Sequence, residues 1–397
     1  MSNPTEQLKT ELSSELSNIL EYWKKYSVDQ KNGGFLGQRD FYNKEISGAS
    51  KGIILNTRIL WSFSAAGNFQ QNNELKFYAD RAYEYLKNHF RDTAFEGVYW
   101  ELDAEGNPVN KRKQIYAQAF AIYALSEYYI LSKEESAKEW ALSLFQLIEK
   151  HARDREYSGY FEAFQEDWSP IEDMRLSEKD KNSAKTMNTH LHVLESYTTL
   201  LKITGDKQVE EALESLTLLF LNKFYDDQNQ HFQLFFDVHW HREGNIVSYG
   251  HDIEAVWLLF EAAKELKNVA LINRTRDLTV AVAKTFLKEA HVPQAGVINE
   301  KDLDSGETDT DRHWWPQAEA MVGLDYAYKF SGDEKFRDAL LDIWEYTKNH
   351  IIDAEKGEWH FRVDENNTPY PQEDKLGMWK CPYHNSRTCI QIIQQNS

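Results

Sequence analysis

Only two cysteines occur in 397 residues, Cys381 and Cys389, too few for a disulfide framework and spaced neither as CxxC nor as a zinc knuckle. Both are read as reduced thiols. No apolar run is long enough to span a bilayer, and the start, Met1-Ser-Asn-Pro-Thr-Glu-Gln-Leu-Lys, lacks the basic end and apolar stretch of a signal peptide. A cytoplasmic protein is expected. Positive charge is scarce: 45 Lys and Arg stand against 64 Asp and Glu, a net charge of −19 whose field repels nucleic acid and anionic membrane. A neutral small molecule suits such a chain better. Neither GxGxxG nor GxxxxGK is present, so no nucleotide cofactor is expected; without HExxH or a carboxylate-rich loop, no metal is expected either.

What the chain does have is aromatic residues, 14% of the total, enough for a core and for aromatic-lined clefts. Apolar positions at helical spacing mark about twelve segments, starting near Glu6, Lys51, Glu74, Gln114, Glu134, Ser183, Asp206, Gly250, Ala270, Trp314, Asp333 and Pro382. Short connections such as Ser132-Lys-Glu and Gly205-Asp-Lys join them in antiparallel pairs. Between pairs run longer excursions: Gly33-Gly-Phe-Leu, Gly97-Val-Tyr-Trp, Gly159-Tyr-Phe-Glu, His231-Phe-Gln-Leu, Gly296-Val-Ile-Asn and Gly357-Glu-Trp-His. Most read as a short strand, usually after a glycine turn. The period is roughly 65 residues, and no linker rich in Pro, Gly or Ser interrupts it. Residues 1–397 are therefore expected to form one all-α domain. An (α/α)6 barrel of six helical hairpins, with short strands in the loops at one end, fits better than an open solenoid because both helices of each pair carry apolar faces.

Unusual polar and aromatic residues gather in the early turns of alternate segments. They are Arg58; Tyr116; Asn188, His192 and Glu195; His251 and Glu254; Trp314, Trp315 and Glu319; and His384 and Arg387. In a ring of hairpins these alternate segments form the inner wall, and their starts converge. Asn188, His192 and Glu195 share one helical face, as do His251 and Glu254, so a carboxylate can fix a neighbouring imidazole's tautomer. The competing reading for any one histidine is a hydrogen-bonded core residue. Several at equivalent ends of a ring favour a site. His190 and His192 point to opposite sides of their helix and are not expected to share a metal. Trp379 lies in a loop before the last segment, where its ring could stack on a sugar or simply pack as core.

Five segments together resemble the N-acylglucosamine 2-epimerase superfamily. They are Lys51-Gly-Ile-Ile-Leu-Asn-Thr-Arg, Lys185-Thr-Met-Asn-Thr-His-Leu-His-Val-Leu-Glu, Tyr249-Gly-His-Asp-Ile-Glu, His313-Trp-Trp-Pro-Gln-Ala-Glu and Trp379-Lys-Cys-Pro-Tyr-His-Asn-Ser-Arg. The last is similar to the branch that epimerises disaccharides. The resemblance implies an (α/α)6 barrel, no cofactor or metal, and reversible inversion at C2 of the reducing-end glucose of β-1,4-linked disaccharides. It further implies His251 and His384 as the acid/base pair, and His192 and Arg58 at the oxygens of C1 and C2. Tyr116, Asn188, Glu254 and Trp314 would line the substrate site, with Trp379 as platform for the second sugar. A monomer is expected.

The alternatives within the superfamily are an N-acylglucosamine 2-epimerase and a mannose isomerase. Outside it stand a glycoside hydrolase using Glu254 and Glu319 as opposed carboxylates, and a non-catalytic sugar-binding protein.

Overall fold

A computed structural model describes residues 4–397, and twelve α-helices stand among them. They are α1 (Pro4–Tyr26), α2 (Ile53–Gln70), α3 (Asn73–Tyr85), α4 (Ile115–Ser132), α5 (Glu135–His151), α6 (Met187–Thr204), α7 (Lys207–Leu219), α8 (Tyr249–Glu265), α9 (Val269–Glu289), α10 (Trp314–Ser331), α11 (Glu334–Tyr346) and α12 (Tyr383–Gln395). The even-numbered helices pack each against the next, and α12 packs back on α2, closing an inner ring. Each odd-numbered helix leans on one of them: α3 on α2, α5 on α4, α7 on α6, α9 on α8, α11 on α10 and α1 on α12. The result is an (α/α)6 barrel.

The side chains dictate this division. In α4 every residue from Ile115 to Ser126 is buried, as a helix surrounded by others requires. In α5 only one stripe is buried, including Ala137, Trp140, Ala141, Leu144, Phe145 and Ile148 at steps of three and four. Asn72, Glu134, Asp206, Asn268 and Asp333 cap the outer helices α3, α5, α7, α9 and α11 through their side chains. A core of buried residues runs from Leu8 to Ile393. No described helix is long and apolar enough to cross a membrane.

The sixth pair differs from a hairpin. Five pairs are joined by short turns, whereas α1 and α12 come from opposite ends of the chain and meet in space. Lys9 Nζ reaches the Asn396 carbonyl at 3.0 Å, and Trp23 Nε1 donates to Glu358 at 2.6 Å across that closure.

The excursions are bound to the inner-helix starts. Lys51–Gly52, Lys113–Gln114, Lys185–Thr186, Ile246–Ser248 and Arg312–His313 each precede an inner helix and pair antiparallel with a strand of the next excursion. The first amide of the helix then donates to a carbonyl of that excursion: Ile53 to Trp100, Ile115 to Glu162, Met187 to Leu234, Tyr249 to Asn299 and Trp314 to Phe361. These bonds satisfy amides that would otherwise be orphaned, and at α2, α4, α8 and α10 they stand in place of a side-chain cap. They also explain why α6 begins at Met187 and not near Ser183: Lys185 and Thr186 are held in a strand, and Thr186 caps the helix.

Buried lysines brace the same end. Lys51, Lys113 and Lys185, each two residues before an inner helix, pair with Asp29, Asp92 and Asp154 at 2.7, 2.5 and 2.6 Å. Each aspartate also accepts backbone amides in its own turn. At Gly159, φ is +79° and an added Cβ would stand 2.7 Å from Trp240 and 2.9 Å from His190, so this turn admits only glycine.

Candidate active site

The starts of the inner helices enclose a cavity of about 170 Å³. Its wall brings together every residue that the resemblance assigns to the site: Arg58 from α2, Tyr116 from α4, Asn188 and His192 from α6, His251 and Glu254 from α8, Trp314 from α10, His384 from α12, and Trp379 from the loop before α12. Trp315 and Phe361 complete it. A larger cleft of about 620 Å³ adjoins it and shares Asn188 and His251.

The three histidines of the cavity are held by different partners. His384 Nδ1 lies 2.7 Å from Glu319 Oε1, and His192 Nδ1 lies 2.9 Å from Glu195 Oε2. A carboxylate only accepts, so each Nδ1 carries the hydrogen and each Nε2 is left with its lone pair. His251 departs from the expectation of a carboxylate neighbour on its own helix: its Nδ1 meets Ser248 Oγ at 2.8 Å, while Glu254 turns to an arginine. Burial pushes His251 down to about 4, with Glu254 pulling the other way. Burial likewise holds His384 well below the usual imidazole range against the pull of Glu254. Both rest neutral near pH 7. The Trp315 ring stands 4.8 Å from that of His251 and 5.7 Å from that of His384, and so borders both.

His190 is structural. Its Nε2 accepts the Tyr160 amide at 2.9 Å and its Nδ1 meets the Thr186 carbonyl at 2.6 Å, on the opposite side of α6 from His192.

Beneath the cavity, the fully buried Arg387 gathers three carboxylates from three inner helices: Nη1 bonds Glu195, and Nη2 bonds both Glu254 and Glu319, the latter at 2.6 Å. Tyr383 adds a 2.6 Å hydrogen bond to Glu195. Though burial alone would raise Glu195, Arg387 and His192 hold it down at about 2. Glu254, Glu319 and His384 offer three ligand atoms within 4.8 Å of one another, the one such group among the described residues that could hold a metal. Arg387 Nη2 already bonds both carboxylates, so this donor set has its cation in the guanidinium and fits a metal poorly.

Arg58 is its electrostatic opposite. It is 3% exposed, yet no carboxylate among the described residues lies within ion-pair distance. Its Nη2 donates to Tyr116 Oη at 2.8 Å and its Nη1 to Cys381 Sγ at 3.7 Å, and its Nε has no partner. The rings of Phe120 and Tyr383 lie 4.4 and 4.9 Å from the guanidinium carbon. A buried cation left in this state is costly to the fold, and such groups cluster at functional sites. Asn188 Oδ1 and Trp314 Nε1 are also buried without partners in the cavity wall. Trp379 is half-buried, its ring 6.0 Å from Tyr116 and 6.2 Å from Trp100.

Sequence reasoning missed three contributors. Phe361, 4.5 Å from the Trp314 ring, comes from the excursion of the neighbouring repeat. Its periodic place in that excursion was the available signal. Glu319 was assigned no task beyond that of a rival acid, and Cys381 was read only as a reduced thiol.

The family described as N-acylglucosamine 2-epimerase matches residues 34–387. A cellobiose 2-epimerase of Bacteroides fragilis is 44% identical over 389 residues, covering 98% of this chain and 99% of that protein. One of Dictyoglomus turgidum is 38% identical over 390 residues, covering 98% of each. The solved structure of cellobiose 2-epimerase from Bacillus thermoamylovorans B4167 superposes with a TM-score of 0.94 at 37% identity, covering 98% of this chain and all of that one.

Proposed function

Since this chain belongs to the N-acylglucosamine 2-epimerase family, we propose that it inverts C2 of the reducing-end glucose of β-1,4-linked disaccharides, turning cellobiose reversibly into 4-O-β-D-glucosyl-D-mannose. The observation that carries this reading is the cavity in which three histidines meet a buried guanidinium without a counter-ion.

Inversion at C2 requires the sugar ring to open, because only the aldehyde acidifies the adjacent C–H. One imidazole then takes the C2 proton, and the electron pair moves to the carbonyl oxygen as a cis-enediolate forms. A second imidazole, carrying a proton, delivers it to the opposite face, and the electrons return. His251 and His384 are assigned to these two tasks, each with Nε2 available. His192, steered by Glu195, and Arg58 are assigned to the oxygens at C1 and C2, where a fixed positive charge favours the enediolate over the neutral sugar. The His251 and His384 imidazoles both rest neutral before the sugar binds, so on this scheme the one that delivers a proton takes it up from solvent on binding. Tyr116, Asn188, Glu254 and Trp314 line the reducing-end pocket, and Trp379 carries the second sugar. No cofactor or metal enters the scheme.

A glycoside hydrolase fits poorly. Its two carboxylates must flank the scissile bond, whereas Glu254 and Glu319 bond the same nitrogen of Arg387. A sugar-binding protein has no use for the paired histidines. On the same reading the enzyme works as a monomer in the cytoplasm, the whole chain from 1 to 397 acting as one domain, since one chain supplies the entire cavity wall.

Incubation with cellobiose in deuterated water tests this. Deuterium at C2 and a glucosyl-mannose product are expected by NMR. Free glucose would point to hydrolysis, and unchanged cellobiose to a binding protein.

A further inference from the structure

We infer that Cys381 is a positioning residue for the reaction: its thiol holds the Arg58 guanidinium while leaving the charge unneutralised, and ties it to the loop that carries Trp379. The inference rests on the C2 epimerisation proposed above and adds a group to it.

Cys381 is fully buried and free, one residue before Pro382, which caps α12. Its sulfur accepts from Arg58 Nη1 at 3.7 Å, and its own hydrogen points to the Trp379 carbonyl at 3.8 Å. One side chain thus links the guanidinium at the reacting sugar to the backbone of the neighbouring platform. The remaining surroundings of Arg58 share the same character: a phenol oxygen at Nη2, two aromatic rings against its faces, and no partner for Nε. All three carboxylates below the cavity are engaged by Arg387.

A guanidinium that must favour a developing enediolate has two needs in conflict. It must be held still, which calls for hydrogen-bond acceptors; and it must keep its charge for the substrate, which excludes an acidic acceptor. A neutral thiol is a weak, polarisable acceptor that meets both. Oxygen acceptors of the same reach either hold it as well or neutralise it, and that difference can be measured.

The test compares purified Cys381→Ser, Cys381→Ala, Cys381→Asn and Cys381→Asp with the wild type. The readouts are kcat and KM on cellobiose, deuterium uptake at C2, cellobiose binding by tryptophan fluorescence, and melting temperature. Cys381→Ala should lose kcat about tenfold with little change in binding, the worth of one hydrogen bond to a charged group. Cys381→Ser should recover most of that loss. Cys381→Asn and Cys381→Asp have the same shape, so their ratio isolates charge: Asp should be slower than Asn by a further hundredfold, on the order of the effect of removing a transition-state donor.

Equal kcat for Asn and Asp, or a kcat for Ala equal to that of the wild type, would overturn the inference. If the Asp variant does not fold, the Ser and Ala pair decides: equal kcat in two variants of matched melting temperature counts against it. A wild-type enzyme that puts no deuterium at C2 refutes the epimerase reading instead, so the two failures are distinct.

Discussion

Arg58→Met should cut activity sharply and make the protein more stable. The guanidinium is 3% exposed and has no carboxylate at ion-pair distance among the described residues, so the fold carries the desolvation of a whole charge, several kcal/mol after relaxation. Its compensations are a 2.8 Å hydrogen bond to Tyr116, a weak one to Cys381 Sγ at 3.7 Å, and two ring contacts at 4.4 and 4.9 Å. A hydrogen bond to a charged group is worth about 1.5–3 kcal/mol and a desolvated cation–π contact about 2 kcal/mol. Methionine fills a similar volume, keeps the contact with Phe120 and removes the charge. By analogy with buried ions replaced by apolar side chains, a gain of about 1–3 kcal/mol is expected. With an unfolding entropy of about 2.1 cal/mol/K per residue over this length, that is a rise in Tm of about 1–4 °C. Loss of a fixed donor at the developing anion should cost about a hundred- to a thousandfold in kcat. Calorimetry and the C2 deuterium assay on one preparation read both quantities. A fall in Tm alongside the fall in kcat would make Arg58 a structural residue and refute the reasoning.

His251→Ala and His384→Ala should each abolish C2 exchange with solvent deuterium while cellobiose still quenches tryptophan fluorescence; full turnover by either variant would sink the two-base assignment. Trp379→Ala should raise KM for cellobiose at least about tenfold more than for glucose, because only the disaccharide reaches a stacking platform at the second sugar. Equal losses on both sugars would remove that role. Acid should unfold the barrel from its site end. Asp29, Asp92 and Asp154 sit below the ordinary 3.8 because, although burial alone would raise them, backbone amides and a buried lysine hold each one ionised. A depressed folded value contributes stability that is present above the unfolded value and lost as pH falls through the folded one. The three aspartates should therefore lower the denaturant midpoint as pH falls below about 4, on top of the loss that begins below about 6.5 because His251 and His384 are buried neutral, and a midpoint unchanged at pH 3 would contradict this.

The fold was legible to the extent that it is written in periodicity. Helices buried all round and helices buried on one stripe alternate along the chain, so α4 and α5 declare themselves inner and outer without coordinates. Ring closure was less so, because α1 and α12 meet through contacts between the two ends that no local pattern encodes. At the site, residues in the early turns of alternate helices were found because the repeat brings equivalent positions together. Spacing on one helix says which residues share a face and nothing about what lies opposite. Glu254 therefore looked like a partner for His251, whereas Arg387 reaches it from across the barrel. For the same reason Glu319 could not be recognised as the group that orients His384, nor Cys381 as a neighbour of Arg58, 323 residues away.

The two buried arginines at the site explain why it needs so elaborate a floor. Arg387 and Arg58 project from neighbouring helices of one ring, and a protein this acidic could easily have given each a carboxylate. Arg387 takes all three, and one result is that Glu319 and Glu195 are fixed as acceptors for the Nδ1 hydrogens of His384 and His192. The other is that none remains for Arg58. Sequestering the carboxylates on one cation orients two imidazoles and frees the second cation in a single arrangement. A change at Arg387 should thus disturb tautomer control and the charge at Arg58 together, for Glu254 and Glu319 would then be free to approach the other guanidinium. Site and scaffold are coupled through that competition, and on the proposed reading the sugar meets the guanidinium that this arrangement leaves without a carboxylate.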